Sequence, residues 1–441
     1  MKIVLPEKVN RIIHTLQDNG FEAYAVGGCV RDSILGRVPD DWDITTSATP
    51  LETKALFART FDTGIEHGTI TVLIDKDAFE VTTYRVDGKY EDSRHPSEVT
   101  FTRSLREDLL RRDFTINAMA YNDAEGLVDI FGGLDDLREK TIRCVGDARA
   151  RFGEDALRIL RAVRFASQLG FEIEEETRNG ITELAPTLAN ISAERIQVEL
   201  IKMLVSPNPA MLKTAYELGI TNVILPEFDA MMVTTQENPH HKYSVGEHTL
   251  KAIEAIRADK VLRLAMLFHD IGKPAMKKMD EKGIAHFKMH DTQGAEMTKQ
   301  ILRRLKFDND TMNKVVRLVQ YHDYRMPAEP KNVRRAMNKI GEDIFLYYLE
   351  VRMADTLAQS EYMQKEKIQN IRDVRERYEE ILDRKECVSL KTLAVTGSDL
   401  IANGMKPGKE IGEVLNKLLE YVIEHPEANE KETLLKLKGK L

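Results

Sequence analysis

The sequence predicts an α+β protein in which a small mixed β-sheet is followed by a mostly α-helical chain. The short β-branched segments AYAVGG, WDITT, GTITVLI and AFEVTTYRV lie within the first 145 residues, bounded by turn residues. From GEDALRILRAVRFASQLGF onward, the apolar spacing is helical. At 441 residues the chain is too long for one hydrophobic core, so we expect two or more domains.

The composition is that of a globular protein without a membrane span. Hydrophobic residues make up 42% of the chain, and no apolar run approaches the length of a bilayer. The formal net charge of -8 disfavours a protein that coats nucleic acid, although local basic surfaces remain. The opening MKIVLPEKVN lacks the apolar stretch of an export signal, and three cysteines lie far apart without metal-type spacing. We therefore expect a cytoplasmic protein and leave its oligomeric state open.

The first candidate site is the segment around the only tryptophan. If WDITT is a strand, Asp41 and Asp43 share one face and Trp42 points to the core from the other. Two adjacent carboxylates repel each other, and a hard cation such as Mg²⁺ relieves that repulsion. Glu80 in AFEVTTYR is the candidate for a third carboxylate on a neighbouring strand. The alternative is a charged strand end with no ligand.

A glycine pair lies just upstream, in VGGCVRD. Gly27 and Gly28 follow a predicted strand and precede a predicted helix, so backbone N–H groups can approach a phosphate without obstruction. Arg31 adds a mobile cation. Together with the carboxylates downstream, this pattern predicts a metal-dependent site for a nucleoside triphosphate.

Two further segments carry charges at helical spacing. In RRDFTINAMA, Asp113 and Asn117 share a face if the segment is a helix, and Asp113 is also a suitable helix N-cap. In GEDALRILRAVRF, Glu154 and Asp155 lie four and three residues before Arg158. Spacing alone leaves ordinary salt bridges as the alternative to a binding site.

Histidines cluster in the helical half of the chain. Seven of the 11 histidines lie within residues 240–322. His269 and Asp270 are adjacent on a predicted helix, with His248 before them and Asp355 after. Nitrogen and carboxylate ligands from separate helices suit Mn²⁺, Fe²⁺, Ni²⁺ or Zn²⁺. A packed structural histidine is the alternative for any one of them.

Four motifs in succession resemble a known family. GGCVRDSILGRVPDDWDITTSATP, LLRRDFTINAMAY, DIFGGLDDL and GEDALRILRAVRFA occur in this order between about residues 20 and 205. They resemble the class II tRNA nucleotidyltransferases, which include CCA-adding enzymes and bacterial poly(A) polymerases. The resemblance implies a two-metal Mg²⁺ enzyme that extends the 3′ end of tRNA from CTP and ATP without a nucleic-acid template.

The resemblance also assigns roles to individual residues. It implies Arg112 as a phosphate ligand and Asp113 as a ligand of a ribose hydroxyl, with Asn117 in the same segment. The polar stretch YRVDGKYEDSRHPSEVTFTRSLRED corresponds to the loop that the family associates with switching from cytosine to adenine addition. Its presence favours complete CCA addition.

Base selection is assigned by the resemblance to Asp155 and Arg158, with Glu154 orienting Arg158 and Arg161 extending a basic ridge. The chemistry supports this assignment. Cytosine and adenine offer an amine donor beside a ring-nitrogen acceptor, which match a carboxylate and a guanidinium. Uracil and guanine place a carbonyl where the amine would be.

The histidine segments resemble the HD phosphohydrolase superfamily, whose ligand order is His, His-Asp, Asp. YSVGEHTL, LAMLFHDIGKP, FKMHDTQGA, VQYHDYR and MADTLAQS follow that order. The implied metal ligands are His248, His269, Asp270 and Asp355, with a second metal or phosphate site at His290 and His322. The expected activity is hydrolysis of a phosphoester, such as a cyclic phosphate at an RNA end.

These resemblances predict four domains. They are a nucleotidyltransferase head at 1–145, a helical neck and body at 146–240, an HD domain at 241–365, and a linker with an RNA-binding tail at 366–441. CCA addition is the favoured function. The alternatives are a poly(A) polymerase or A-only enzyme, and an HD phosphohydrolase whose head only binds RNA.

Overall fold

The computed structural model describes residues 2–88, 99–240 and 242–438. Its internal contacts divide the chain into two compact units, 1–226 and 227–441. The four finer domains predicted from the sequence remain a prediction. Positions 89–98, within the polar stretch predicted to favour CCA addition, lie outside the described residues.

The first unit is built on a mixed sheet, which confirms the α+β prediction. Seven of the described strands form it in the order β3-β4-β5-β2-β1-β8-β9. β2 and β5 run parallel, and the other neighbours are antiparallel. The strands of this unit are β1 Ala23–Val26, β2 Ile44–Thr46, β3 Thr60–Gly64, β4 Thr69–Ile74, β5 Asp77–Thr83, β6 Arg85–Asp87, β7 Val99–Phe101, β8 Met119–Asn122, β9 Gly126–Asp129, β10 Thr141–Ile142 and β11 Glu172–Ile173.

The apolar face of α1, Glu7–Asp18, packs against this sheet. Val9, Ile12, Ile13 and Leu16 are buried at positions i, i+3, i+4 and i+7, the spacing of one helical face. Each such side chain contributes about 1.5–3 kcal/mol when buried. A charge at Ile12, which is fully buried, would therefore detach α1.

The remaining helices of the first unit surround the sheet and extend beyond it. They are α2 Gly28–Ile34, α3 Pro50–Leu56, α4 Leu105–Leu110, α5 Gly133–Glu139, α6 Ala148–Glu154, α7 Leu157–Leu169, α8 Glu175–Leu184, α9 Ala193–Leu204, α10 Leu212–Glu217 and α11 Ile220–Ile224. The predicted single helix GEDALRILRAVRF is wrong, since α6 ends at Glu154 and α7 begins at Leu157. Asp155 between them is extended, with φ -138° and ψ 104°.

Two other local predictions differ from the structure. The strand in WDITT begins only at Ile44, so Asp41 and Asp43 precede it, and Trp42 is half-buried rather than in the core. The segment TINAMAY forms a 3₁₀ turn at Thr115–Asn117 followed by β8, not a helix. β8 is buried along its whole length beside β1, so it lacks the alternation that identifies a strand.

The second unit is helical in its described residues, apart from one small hairpin. It contains most of α12 Pro226–Val233, then α13 Val245–Ala255, α14 Lys260–Phe268, α15 Lys273–Met276, β12 Lys278–Met279, β13 Ala285–His286, α16 His290–Arg304, α17 Asn309–Tyr321, α18 Pro330–Ile340, α19 Phe345–Ala358, α20 Gln364–Asp383, α21 Gly397–Ala402, α22 Lys409–Glu424 and α23 Lys431–Leu437. α19 lies at its centre, packed against α13, α14 and α20. Across the described chain, every helix is too short or too polar to cross a bilayer.

Candidate active site

The glycine turn after β1 requires a residue without a side chain. Gly27 has φ +80°, and a Cβ there would lie 3.0 Å from Nη1 of Arg112. Its N–H donates to the carbonyl of Met119 on β8, at 3.1 Å, which ties the turn to the sheet. Gly28 begins α2 immediately afterwards. The turn therefore brings backbone close to a guanidinium at the end of two central strands.

Arg31 is held in place, so the prediction of a mobile cation is wrong. Its Nε and Nη2 donate to the two oxygens of Asp32, each at 2.9 Å. Its Nη1 donates to Oδ1 of Asn117 at 2.7 Å. Only 9% of Arg31 is exposed, and its guanidinium lies over the ring of Phe165. Arg31 thus links α2 to the turn that contains Asn117.

Asp41 and Asp43, just before β2, lie near Glu80 in the middle of the parallel strand β5. The backbone carbonyl of Asp43 accepts from Val26 on β1 at 3.0 Å, and β2 then pairs with β5 through Ile44 and Val81. The register places Glu80 beside Asp43. Their ligand atoms do not all fall within 4.8 Å, since the described groups that meet this spacing are in the second unit.

The same carboxylates influence one another electrostatically. Asp43 remains accessible to solvent, but partial burial raises the pKa of its carboxyl, Arg112 lowers it and Asp41 raises it. The pKa of Glu80 is raised by burial first and then by Asp43 and Asp41. The carboxylates therefore form one negatively charged group that a cation would stabilise.

Asp113 is a buried junction of hydrogen bonds. Its Oδ1 accepts from the backbone N–H of Phe114 at 2.8 Å and from Nδ2 of Asn117 at 3.0 Å. Its Oδ2 accepts from Nε and Nη2 of Arg161, at 2.8 and 2.6 Å. Burial opposes ionisation, yet Arg161 and Asn117 hold the pKa of Asp113 well below its usual range. Its predicted role as the N-cap of a helix is wrong, because no α-helix begins at this point of the described chain.

Glu154, Asp155 and Arg158 meet at the break between α6 and α7. Nη1 of Arg158 donates to Oε2 of Glu154 at 2.5 Å, as the four-residue spacing predicted. The Arg158 guanidinium also donates to the backbone carbonyls of Arg151 and Arg111. Asp155 lies at the helix break, and its carboxylate caps the N–H of Leu157 at 3.0 Å.

Sequence reasoning missed three charged residues beside this group. Arg195 on α9 donates to both oxygens of Asp155, at 3.3 and 2.7 Å. Arg164 on α7 forms a buried ion pair with Glu199 on α9, at 2.8 Å, and lies over the ring of Phe165. The only sequence signal was the four-residue spacing of Arg195 and Glu199, which surface helices share.

In the second unit, four imidazoles point their Nε2 atoms toward one centre. Each ring is oriented by a hydrogen bond from its Nδ1 to a backbone carbonyl. The pairs are His248 with Ala358 at 3.3 Å, His269 with Met266 at 2.7 Å, His290 with Phe287 at 2.8 Å, and His322 with Val319 at 2.7 Å. This arrangement selects the tautomer whose Nε2 lone pair faces inward, as in metal-ligating histidines.

Asp270 lies between two pairs of histidines. Its Oδ2 is 3.7 and 3.3 Å from Nε2 of His248 and His269. Its Oδ1 is 3.5 and 3.6 Å from Nε2 of His290 and His322. Asp355 joins the first pair, with Oδ1 2.9 Å from Nε2 of His248. All six side chains predicted as ligands thus converge, from five helices or their ends.

This cluster forms part of the wall of a cavity of about 940 Å³. Lys273, Tyr324 and Arg325 also line it. Nζ of Lys273 lies 2.7 Å from Oδ2 of Asp270 and donates to Gln236 at 2.8 Å. Positively charged side chains therefore line the cavity beside a group of metal-type ligands, which suits an anionic ligand.

In the first unit, a mixed sheet carries grouped carboxylates beside a glycine turn. The helices that follow carry the charged residues Glu154, Asp155 and Arg158. Together these features define the first unit as a nucleotidyltransferase. Family profiles agree with this class. Residues 23–143 match the "Poly A polymerase head domain", residues 170–232 the "Probable RNA and SrmB-binding site of polymerase A", and residues 278–437 the "tRNA nucleotidyltransferase domain 2".

Relatives that match over nearly their whole length show which kind of nucleotidyltransferase this chain resembles. The CCA-adding enzyme of Pediococcus pentosaceus is 36% identical over 436 residues, covering 99% of this chain and 98% of the relative. That of Enterococcus faecalis is 35% identical, over 96% and 93%. The crystal structure of the Bacillus stearothermophilus CCA-adding enzyme in complex with CTP has a TM-score of 0.74 and 30% identity, over 99% and 98%. The chain belongs to the CCA-adding enzyme family.

Proposed function

We propose that this protein adds C, C and A to the 3′ end of tRNA, taking the nucleotides from CTP and ATP without a nucleic-acid template. The observation that carries the proposal is the grouping of Asp41, Asp43 and Glu80 beside Arg112 and the Gly27 turn, in a chain of this family. The reaction is attack of the primer 3′-hydroxyl on the α-phosphate, with pyrophosphate leaving.

Nucleotidyltransferases of this family use divalent metal ions, typically Mg²⁺. Asp41 and Asp43 fit such ions, because they are hard oxygen ligands, and burial together with repulsion by Asp41 raises the pKa of Asp43. When bound, two ions would lower the pKa of the attacking 3′-hydroxyl and neutralise negative charge on the leaving oxygens. Glu80 adds negative charge behind the pair and stabilises the same ions.

The triphosphate is proposed to lie against the glycine turn. Gly27 and Gly28 leave the backbone open there, and Arg112 stands next to Gly27 with its guanidinium partly bound by Asp108, 3.5 Å away. A buried Nε on Arg112 has no hydrogen-bond partner among the described residues. A phosphate oxygen is a suitable acceptor for this guanidinium.

Four side chains of this pocket bind one another, and we propose that they mainly hold its structure. They are Arg31, Asp113, Asn117 and Arg161. All four acceptor positions of the Asp113 carboxylate are occupied, by Phe114, Asn117 and two nitrogens of Arg161. A ribose hydroxyl would have to displace one of these donors. Asp113 therefore positions Arg161 and Asn117, and through Asn117 it also positions Arg31.

Base selection is proposed to depend on Asp155 and Arg158. The Asp155 carboxylate accepts a hydrogen bond from the exocyclic amine of cytosine or adenine, and the Arg158 guanidinium donates to the ring nitrogen. Glu154 holds Arg158 in place. With uracil or guanine, a carbonyl would face Asp155, and each unsatisfied polar group would cost about 1–3 kcal/mol.

The test is to incubate the protein and Mg²⁺ with tRNA that ends before CCA, supplying CTP, ATP or both. We expect two additions with CTP and a third only when ATP is also present. A long ladder with ATP alone would instead identify a poly(A) polymerase, and a single A on tRNA ending in CC would identify an A-adding enzyme. Absence of addition under every condition would refute the proposal.

A second activity is proposed for the histidine cluster, as a metal-dependent phosphohydrolase of HD type. The observation that favours it is the pair of facing Nε2 atoms, 3.2 Å apart in both His248–His269 and His290–His322. With each Nδ1 donating to a carbonyl, these lone pairs repel unless a proton or a metal ion lies between them. Two ligands of one ion, at bonds of about 2.0–2.1 Å, lie about 3.0–3.4 Å apart.

The ligand sets fit two transition-metal ions. His248, His269 and Asp355 would hold one, His290 and His322 the other, and the two oxygens of Asp270 face both sets. Mn²⁺, Fe²⁺, Ni²⁺ and Zn²⁺ all suit these donors. Bound metal supplies an activated water nucleophile. Lys273 would attract the phosphoester of the substrate, for which a cyclic phosphate at an RNA end is the candidate.

This second activity is tested with chelated protein reloaded with one metal at a time. An RNA with a 2′,3′-cyclic phosphate should be hydrolysed only after reloading, and His269→Ala should lose hydrolysis while it retains CCA addition. Hydrolysis that survives both chelation and the substitution would exclude the cluster as the site.

A further inference from the structure

The carboxylate of Asp155 is bound by a residue 40 positions further along the chain. Arg195, near the start of α9, donates Nη1 to Oδ1 of Asp155 at 3.3 Å and Nη2 to Oδ2 at 2.7 Å. This is a bidentate pairing, the strongest geometry for an arginine and a carboxylate. Both side chains are largely buried, with 24% and 17% of their surfaces exposed.

The remaining capacity of Asp155 can be counted. A carboxylate offers about four acceptor positions, two on each oxygen. Among the described residues, Oδ1 accepts from Leu157 N–H at 3.0 Å and from Arg195, while Oδ2 accepts from Arg195. One position on Oδ2 is left. Asp155 can therefore accept one further hydrogen bond, and only from the direction of this position.

The position of Arg195 is itself fixed, because α9 is locked onto α7. Glu199, one turn after Arg195, forms a 2.8 Å ion pair with Arg164 of α7, and both side chains are buried. Ile196 and Leu200 pack in the core from the same helix. Because the guanidinium of Arg195 binds both oxygens of Asp155, rotation of the carboxylate would break at least one of these hydrogen bonds, so Arg195 constrains the orientation of Asp155 as well as neutralising its charge.

We propose that Arg195 is a specificity-determining positioning residue, which keeps the last lone pair of the Asp155 carboxylate directed at the exocyclic amine of cytosine or adenine. The proposal rests on the proposed function, in which Asp155 recognises the base. Without Arg195, the Asp155 carboxylate can rotate, so the exocyclic amine loses its fixed acceptor. Uracil has a carbonyl in place of this amine and gains nothing from the fixed acceptor, so loss of Arg195 should weaken addition from CTP more than addition from UTP.

The test compares addition of the first nucleotide to tRNA ending before CCA, with CTP and with UTP, in wild type, Arg195→Met and Arg195→Lys. In Arg195→Met, the ratio of kcat/KM for CTP over UTP should fall at least about tenfold, the size of one discriminating hydrogen bond. Arg195→Lys keeps the positive charge but loses the paired N–H donors of the guanidinium. Its ratio of kcat/KM for CTP over UTP should therefore lie between those of wild type and Arg195→Met.

Arg149→Met is the matched control. Arg149 lies on α6 and pairs with exposed Glu183, away from Asp155, so its loss should leave the ratio unchanged. Thermal unfolding of each variant is measured in parallel. If Arg195→Met does not fold, the comparison of Arg195→Lys with wild type decides the question.

An unchanged ratio in a folded Arg195 variant, with CTP and UTP affected equally, would overturn the inference and leave Arg195 a structural ion pair. Asp155→Ala separates this failure from that of the proposed function. If Asp155→Ala lowers the ratio and the Arg195 variants do not, only the inference about Arg195 fails. If Asp155→Ala also keeps the ratio, the assignment of base recognition fails with it.

Discussion

The Nε2 atoms of His248 and His269 lie 3.2 Å apart, although each ring donates its Nδ1 proton to a backbone carbonyl. Two unprotonated Nε2 atoms at this distance repel each other unless a proton or a metal ion lies between them. His290 and His322 repeat the arrangement at the same distance. The cluster is thus most stable when cations are bound, and this leads to the first two predictions.

Transition-metal ions should stabilise the second unit. Ligand at 100 times its Kd stabilises a folded protein by about 2.7 kcal/mol, so the melting temperature should rise by several degrees when Mn²⁺ or Ni²⁺ is added to chelated protein. His269→Ala should abolish most of this rise. His425→Ala, which removes an exposed histidine outside the cluster, should retain it. A rise of equal size in both variants would contradict specific binding.

Metal binding should become weaker as the pH falls. Burial opposes protonation of His322, but Asp270 overcomes it and raises the pKa of His322 to about 9. The metal-free protein therefore holds a proton on His322 at pH 7, and a metal ion must displace it. Calorimetry in buffers of different ionisation enthalpy should detect the released proton, and His322→Asn should release fewer.

The same raised pKa makes a prediction for the metal-free protein. A folded pKa above the ordinary value of 6.5 stabilises the folded state fully below pH 6.5, and this contribution is lost as pH rises through about 9. Chelated wild type should lose stability relative to His322→Asn over that interval. Parallel pH profiles of unfolding for the two proteins would contradict the assignment.

The head carboxylates should be required for addition only. Asp41→Asn and Asp43→Asn remove ligands proposed for Mg²⁺, and each should reduce CCA addition by at least about a thousandfold, since electrostatic stabilisation of the transition state is lost. Asp40→Asn is the matched control, because Asp40 is an exposed neighbour with no proposed role. Hydrolysis at the histidine cluster should be unaffected in all three variants.

The glycine turn offers a test that separates backbone strain from loss of the site. Gly27→Ala and Gly36→Ala both place a side chain at positive φ, +80° and +70°, a strain of about 1–3 kcal/mol. Only the Cβ at position 27 meets Arg112, at 3.0 Å, whereas that at 36 meets nothing within 4 Å. Both variants should lose stability, but only Gly27→Ala should lose nucleotide affinity. Equal affinities would show that Arg112 is not displaced.

Sequence patterns were sufficient wherever near neighbours determine the structure. The strands at AYAV and TITVLI follow from local spacing, and the structure has both of them. β8 was mistaken for helix because a strand buried on both faces shows no alternation. The break at Asp155 was missed because apolar residues continue in helical phase across it.

The sequence by itself determined the α+β class, the order of its motifs and the residue types that carry the proposed chemistry. Only the tertiary structure decided which charges meet. Arg195 reaches Asp155 across 40 residues, and Asp355 reaches His248 across 107. Local pattern fixes a residue's place on its own helix or strand, whereas the partner of a buried charge depends on how distant elements pack.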